Sequence, residues 1–275
     1  MNGTPQTGTI RPHNDRPAAV WSLGGRQSDQ ISQGIADALE RCVLRLNPRP
    51  GERILDLSTG TGWTSRLVAR RGAAVTGVDI ASDLLEAARA KAIAEGLSIT
   101  YQIGDAADLP FETGSFDAVV STFGIMFGSR PEHAAAELAR VCRKGGRVAL
   151  TTWVSDSSFS QMFQIMKKHM PPAPAGACAH SPFEWGKRER LQELLGRRFQ
   201  LQFETGFSYY REPSAKAAWN TFSTGYELTR ALAASLDPAR REALRTDFIA
   251  FHSCFPNGVG ITVPREYWLT LGERV

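Results

Sequence analysis

No run of 18 or more apolar residues occurs anywhere in the 275-residue sequence, so no membrane-spanning helix is expected. Cysteine is scarce. The four thiols, Cys42, Cys142, Cys178 and Cys254, stand far apart without a CxxC pair. That spacing builds neither a zinc site nor a disulfide framework, so no metal is expected, and reduced thiols in a cytoplasmic protein are the expectation. An excess of one charge is also missing: 32 basic residues against 28 acidic leave +4. The basic clusters Lys187-Arg188 and Arg197-Arg198 lie among glutamates in place of a single-sign stripe, so they read as solvated helix surface and no nucleic-acid partner is expected. The first 17 residues lack the apolar core of a signal peptide and read as a loose N-terminal arm. What is present, 42% hydrophobic and 9% aromatic residues, suffices for an ordinary globular core in one large domain or two small ones.

From about residue 30 to 155 the periodicity alternates. Ile31, Ile35, Leu39, Val43 and Leu46 recur at helical spacing until Pro48 and Pro50. Strand patterns follow at 53–57, 74–78, 99–103, 116–121 and 147–152, separated by helices around Leu67, at 82–95 and at 132–142. Strands alternating with helices imply β-α-β units and a parallel sheet covered on both faces, hence an α/β fold. After residue 155 the pattern changes. A helix at about 158–170 leads to the stiff run Pro171-Pro172-Ala173-Pro174-Ala175-Gly176, a helix spans 185–195, and the alternating run 199–209 reads as a strand. Residues 214–253 look helical with breaks at Gly225 and Pro238, and 267–275 reads as a last strand. We divide the chain into residues 1–29, an arm able to close as a lid; 30–155, a ligand-binding core; and 156–275, which completes the sheet and carries a mostly helical cap at about 210–256.

The chemistry gathers where strands end, which is where open α/β sheets bind ligands. Asp56-x-Ser58-x-Gly60-x-Gly62 turns the first strand into its helix, and glycines there let backbone approach a ligand. Ser65 stands where a dinucleotide loop has its third glycine, which argues against NAD. Asp79 ends the second strand, where a carboxylate can accept from two ribose hydroxyls or simply cap the next helix. Asp105, in Gly104-Asp105-Ala106, can accept from an exocyclic amine or serve as a turn former.

Residues 54–92, 102–127 and 137–153 resemble the class I S-adenosylmethionine-dependent methyltransferases, most closely the small-molecule branch of the ubiquinone/menaquinone-biosynthesis type. The resemblance implies a Rossmann-like, doubly wound, mostly parallel seven-stranded sheet and S-adenosyl-L-methionine as cofactor. It implies that the Asp56–Gly62 loop, including Ser58 and Gly60, holds the methionine part, and that Asp79 binds ribose with Ile80 packed on adenine. Asp105 and Ala106 would meet the adenine edge, and backbone at Thr122 the amino group. Ser58 departs from the family pattern, which has glycine there.

Candidates for the acceptor pocket are Trp21 in a segment suited to a lid, Met126 and Phe127 after the fourth strand, and Trp185 and Tyr226 of the later segments. His252 is the first candidate base by chemistry, though a histidine beside Phe251 also reads as structural; Tyr209, Tyr210, Tyr226 and Glu184 are no better supported, and no catalytic residue is assigned. The first reading is an enzyme that methylates a small, largely apolar or aromatic metabolite. The alternatives are a non-catalytic cofactor-binding regulator, a nucleic-acid methyltransferase and, weakest, a nicotinamide oxidoreductase. Ser121-Thr122-Phe123-Gly124 in place of Asn/Asp-Pro-Pro-Tyr/Phe argues against methylation of base amines. The oligomeric state is left open.

Overall fold

In β1 (Arg53–Leu57), every residue from Ile54 to Leu57 is buried, which requires cover on both faces of the sheet. The computed structural model describes residues 10–25, 28–171 and 181–275. Residues 1–9 of the arm, Arg26, the proline-rich run 172–176 and Cys178 lie outside them. Before β1 come α1 (Asp15–Ser22), α2 (Ser28–Gln33) and α3 (Ala36–Leu46). After it follow α4 (Trp63–Ala69), β2 (Ala74–Asp79), α5 (Ser82–Ala94), β3 (Ile99–Ile103), β4 (Phe116–Thr122), α6 (Pro131–Val141), β5 (Cys142–Trp153) and α7 (Ser158–His169). The chain closes with α8 (Arg188–Leu195), β6 (Phe199–Glu212), α9 (Ala215–Gly225), α10 (Glu227–Ser235), α11 (Pro238–His252) and β7 (Ile261–Arg274).

Among the described residues, seven strands form one sheet in the order β3-β2-β1-β4-β5-β7-β6. The first five are parallel, and β7 runs antiparallel to both β5 and β6. Strand order reverses between β1 and β4, so a crevice opens beyond their carboxyl ends. The α/β, doubly wound, seven-stranded expectation is met. The last two strands are longer than the alternation implied, each 14 residues. Pairing of β7 with β5 stops at Trp153–Tyr267, whereas pairing with β6 continues to Glu212–Ile261. The hairpin therefore runs on past the sheet, above the same ends as the crevice. Helices α9, α10 and α11 connect β6 to β7, packing on one another and on α2 and α7.

Four local expectations change. The arm is ordered from Pro12: a 3₁₀ turn (Pro12–Asn14) leads into α1, with Ala18 buried and Arg11 donating to Asp108 (2.6 Å). The helix expected across 31–46 is broken at Gly34-Ile35 into α2 and α3, and the Gly34 carbonyl accepts instead from Arg265 Nη2 (2.7 Å). Gly145 and Gly146 lie inside β5, not before it, with Gly145 at φ 67° and a register shift opposite Phe116–Ala118. Trp185 lies on a 3₁₀ turn (Pro182–Gly186) opened by the Ser181 hydroxyl, and α8 starts after it. No helix among the described residues is long and apolar enough to cross a membrane.

Tyr101 of β3 fits between two glycines. A Cβ on Gly77 of β2 would lie 2.6 Å from the Tyr101 ring and 3.1 Å from Ser65 Oγ. One on Gly62 would lie 2.9 Å from both Tyr101 Cζ and Ala88 Cβ. The ring is buried and cannot retreat into solvent. Gly77→Ala is expected to destabilise the protein by about 1–3 kcal/mol through overpacking. A lower urea midpoint at unchanged denaturant dependence checks it, and an unchanged midpoint contradicts the tight fit.

Candidate functional site

Asp56 does not face the crevice. It has no exposed surface, and its Oδ2 accepts from the hydroxyls of Thr59 and Ser65, each at 2.6 Å. Burial pushes its carboxyl up to about 6, against those two hydrogen bonds, which hold it down. Thr59 N–H donates to the Val78 carbonyl (2.9 Å), which fastens the loop to β2. Within the loop Ser58, Gly60 and Gly62 all have positive φ, at 57°, 55° and 73°. The serine at the family's glycine position thus still adopts the left-handed conformation that favours glycine. Gly60 leaves bare backbone: a Cβ there would meet no protein atom within 4 Å. Gly62, expected at the ligand, faces Tyr101 instead and sits outside the cavity as the residue before α4.

Asp79, Ile80, Asp105 and Ala106 do border the cavity, together with Ser58, Gly60 and Thr122. Asp79 Oδ2 accepts from Gly60 N–H (2.9 Å) and Oδ1 from Ala81 N–H (3.0 Å). Burial raises the Asp79 carboxyl while those backbone donors lower it. Each oxygen keeps a lone pair for a further donor. Asp105 Oδ1 accepts from Ala107 N–H (2.8 Å), whereas its Oδ2 is buried without a hydrogen-bond partner, His13 Nε2 lying 3.4 Å away. An orphaned carboxylate oxygen at a cavity wall suits an amine donor. Thr122 Oγ1 lies 2.7 Å from Thr64 Oγ1, leaving its backbone at the crevice. This donor and acceptor set fits the adenosyl and ribose groups of the expected cofactor.

The same cavity, about 200 Å³, continues into an aromatic end. Trp21 meets Phe127 edge-on at 5.1 Å and Tyr226 at 6.5 Å. Phe123, at φ 59°, stacks on Trp153 at 3.8 Å, and Phe159 lies behind Trp153 at 4.7 Å. Of the pocket candidates, Trp21, Phe127 and Tyr226 line this space. Met126 and Trp185 do not: both are buried, and they border a separate hollow beside Pro131 and Arg190. Apolar side chains at helical or turn spacing look alike whether they face core or cavity. His252 also lies away from the cavity. It stacks on Phe248 at 4.2 Å, pairs through Nδ1 with the Phe248 carbonyl (2.8 Å), and burial lowers it to about 4. It is a packed core residue of the cap.

Among the polar residues at the cavity that escaped sequence reasoning are Asn14, Ser28, Glu227 and Arg265. Asn14 lies in the arm read as loose. Ser28 donates to Glu227, joining α2 to α10, and burial pushes the Glu227 carboxyl up to about 7 despite that bond. Arg265 sits on the part of β7 that outruns β5. The alternation of β7 was a usable signal for it only once the strand's true start was known.

The sequence matches a family described as a methyltransferase domain over residues 55–150. An uncharacterized protein of Mycobacterium tuberculosis is 39% identical over 179 residues, which is 64% of this chain and 63% of that protein. The chain thus spans less than two thirds of the length of that relative. The demethylmenaquinone methyltransferase of Deinococcus radiodurans is 32% identical over 201 residues, covering 68% of this chain and 80% of that protein. Among solved structures, the YcgJ protein of Bacillus subtilis superposes with a TM-score of 0.59 at 18% identity, over 86% of this chain and 98% of that one. Likeness at that identity speaks to the fold alone. Identity to the Deinococcus protein, sustained over 80% of its length, speaks to kinship: this chain belongs to the class I S-adenosylmethionine-dependent methyltransferases, in the small-molecule branch of the menaquinone-biosynthesis type.

Proposed function

We propose that this chain transfers the methyl group of S-adenosylmethionine to a small, largely apolar or aromatic metabolite by in-line displacement. The observation that carries the reading is one continuous cavity lined both by the strand-end carboxylates Asp79 and Asp105 and by the aromatic side chains of Trp21, Phe127 and Tyr226. A non-catalytic binder has no need of the second compartment. The buried free thiols of Cys42 and Cys142 support a reducing, cytoplasmic setting.

In this reading Asp79 accepts from the ribose hydroxyls with the lone pairs that Gly60 and Ala81 leave open. Asp105 Oδ2 accepts from the adenine amine, and Ile80 and Ala106 pack beside the ring. Bare backbone at Ser58, Gly60 and Thr122 receives the methionine end. When bound, the cofactor supplies a sulfonium methyl group already activated for displacement. The protein's part is to align the acceptor with it and exclude water, and alignment of this kind lowers a barrier by roughly 7–11 kcal/mol. Trp21 on α1 and the Ser28–Glu227 bond between α2 and α10 close the cavity from above.

Calorimetry with S-adenosylmethionine and S-adenosylhomocysteine, with NAD⁺ as control, tests the reading. Micromolar-range binding of both adenosyl ligands and none of NAD⁺ is expected; folded protein that binds neither adenosyl ligand removes it. Asp79→Ala is expected to weaken both adenosyl ligands by about 1–3 kcal/mol, the usual worth of hydrogen bonds to a charged group, and unchanged affinity contradicts the ribose role.

A pH effect follows from Glu227, which faces Ser28 of α2, Asp79 of β2 and Arg230 on its own helix. Its carboxyl titrates at about 7 in the folded protein against an ordinary 4.5. The folded state therefore holds the extra proton between these values, and stability falls as pH rises through that window. Asp56 acts in the same direction but is spent just above its own value of about 6. The melting temperature is expected to drop as pH rises from about 5 to 7.5, through the Glu227 value of about 7, and to drop less in Glu227→Gln. Equal drops in the two proteins would place the Glu227 carboxyl elsewhere.

A further inference from the structure

Arg265 is a buried cation without an anion. It is 4% exposed, and among the described residues no carboxylate oxygen lies within ion-pair distance. Nη2 donates to the Gly34 carbonyl (2.7 Å), and the guanidinium lies over the rings of Tyr210 (4.7 Å) and Trp153 (5.5 Å). The Asp37 carboxylate, which acts on it from farther off, already accepts from Ser208 Oγ (2.7 Å) and Ala38 N–H (2.8 Å). Arg265 Nε is buried with no hydrogen-bond partner. Burial lowers the guanidinium to about 10, the mark of a charge that the fold leaves short of compensation. Leaving such a charge unpaired is costly, and one carbonyl with two ring faces offsets only part of it.

Tyr226 repeats the pattern at the same cavity. Its hydroxyl is buried without a partner, and burial raises it well above the ordinary phenol value. Arg265 and Tyr226 act on each other electrostatically. An arginine N–H can only donate and a phenol O–H can donate, so together they call for an acceptor oxygen, best an ionised one. Glu227 does not fill that role, since its carboxyl is turned to the Ser28 hydroxyl. The walls around the pair are aromatic: Trp153, Phe123 and Phe159.

We propose that Arg265 and Tyr226 form a subsite for an anionic oxygen, and that the methyl acceptor is an aromatic or apolar molecule carrying a carboxylate or a phenolate-type oxygen held there. This rests on the methyl-transfer reading for the word acceptor, but not for the subsite itself. It fixes the orientation of the ligand: ring among the aromatic side chains, charged oxygen toward β7.

The test uses the full chain saturated with S-adenosylhomocysteine and titrated with two matched pairs of probes. 1-Naphthoate against 1-naphthamide reads the carboxylate, and 4-nitrophenol, ionised at about pH 8, against 4-nitroaniline reads the phenolate. A preference of about tenfold or more for either anion over its neutral partner is expected, along with its loss in Arg265→Gln and a smaller loss in Tyr226→Phe. Should Arg265→Gln fail to fold, Tyr226→Phe and the wild-type preference decide. No preference in either pair, or a preference untouched by the variants that fold, overturns the subsite. The homocysteine ligand's own binding isotherm separates the two ideas. Its absence together with a retained anion preference removes methyl transfer and keeps the subsite; its presence without any preference does the reverse.

Discussion

Asp56 accepts hydrogen bonds from Thr59 and Ser65 at the centre of the sheet, and the geometry of the ligand crevice follows from that pair of bonds. A carboxyl with no exposed surface is expensive to keep charged, and the two short hydroxyl contacts are what the fold offers against that cost. Thr59 is thereby pulled beneath the loop, Ser58 and Gly60 are bent into positive φ, and the Gly60 N–H comes to rest on Asp79. Asp79 then cannot swing away from the cavity wall, because both of its oxygens are tied to backbone. A buried side chain that touches no ligand in this way positions one that faces it.

The cover over the crevice is held differently. Helix α2 is fastened to the core through Asp29, which meets Thr61 Oγ1 (3.0 Å), Lys91 Nζ (2.9 Å) and Arg66 Nη2 (3.8 Å). It is fastened to the cap through Ser28 and Glu227, and at its end the Gly34 carbonyl receives Arg265. The Asp29 contacts are partly exposed and each worth at most about 1 kcal/mol, whereas the bonds through Glu227 and Arg265 are buried. The β strands beneath are joined by ladders and by a continuous apolar core, so opening of α1 and α2 costs far less than parting the sheet. Entry of a ligand is consistent with motion of this cover on a rigid platform.

Local signals were enough for the parts of the site that are local. The loop, Asp79 and Asp105 each stand at the end of a strand whose apolar run is visible in the sequence, so their position at the crevice was legible. Gly62 packs against Tyr101, which lies on another strand and leaves no local signal. Met126, Trp185 and His252 lie away from this cavity; burial against core and burial against a cavity leave the same apolar pattern. Glu227 and Arg265 were invisible for a topological reason. They reach the cavity only because β6 and β7 outrun the sheet and the chain between them returns over it, a long-range arrangement no short motif records.

The two ends of the cavity ask different things of a ligand. Where the proposed cofactor lies, carboxylates and backbone would meet its hydroxyls and amines, which suits a cationic sulfonium held near negative charge. At the far end the proposed subsite holds the opposite sign. Transfer of a methyl cation equivalent from a sulfonium to an anionic oxygen removes both charges at once. A water-poor cavity favours that change, because separated ions lose hydration there while the dispersed charge of the transition state loses less. Arg265 works against part of this gain: it stabilises the anion more than the neutral product, so it serves binding and orientation more than the barrier. The same difference weakens the hold on an oxygen once it is methylated. Where the anionic oxygen is a handle and another atom is methylated, that release is lost and the product keeps the grip of Arg265. The buried guanidinium therefore links the site of methylation to the ease of product release.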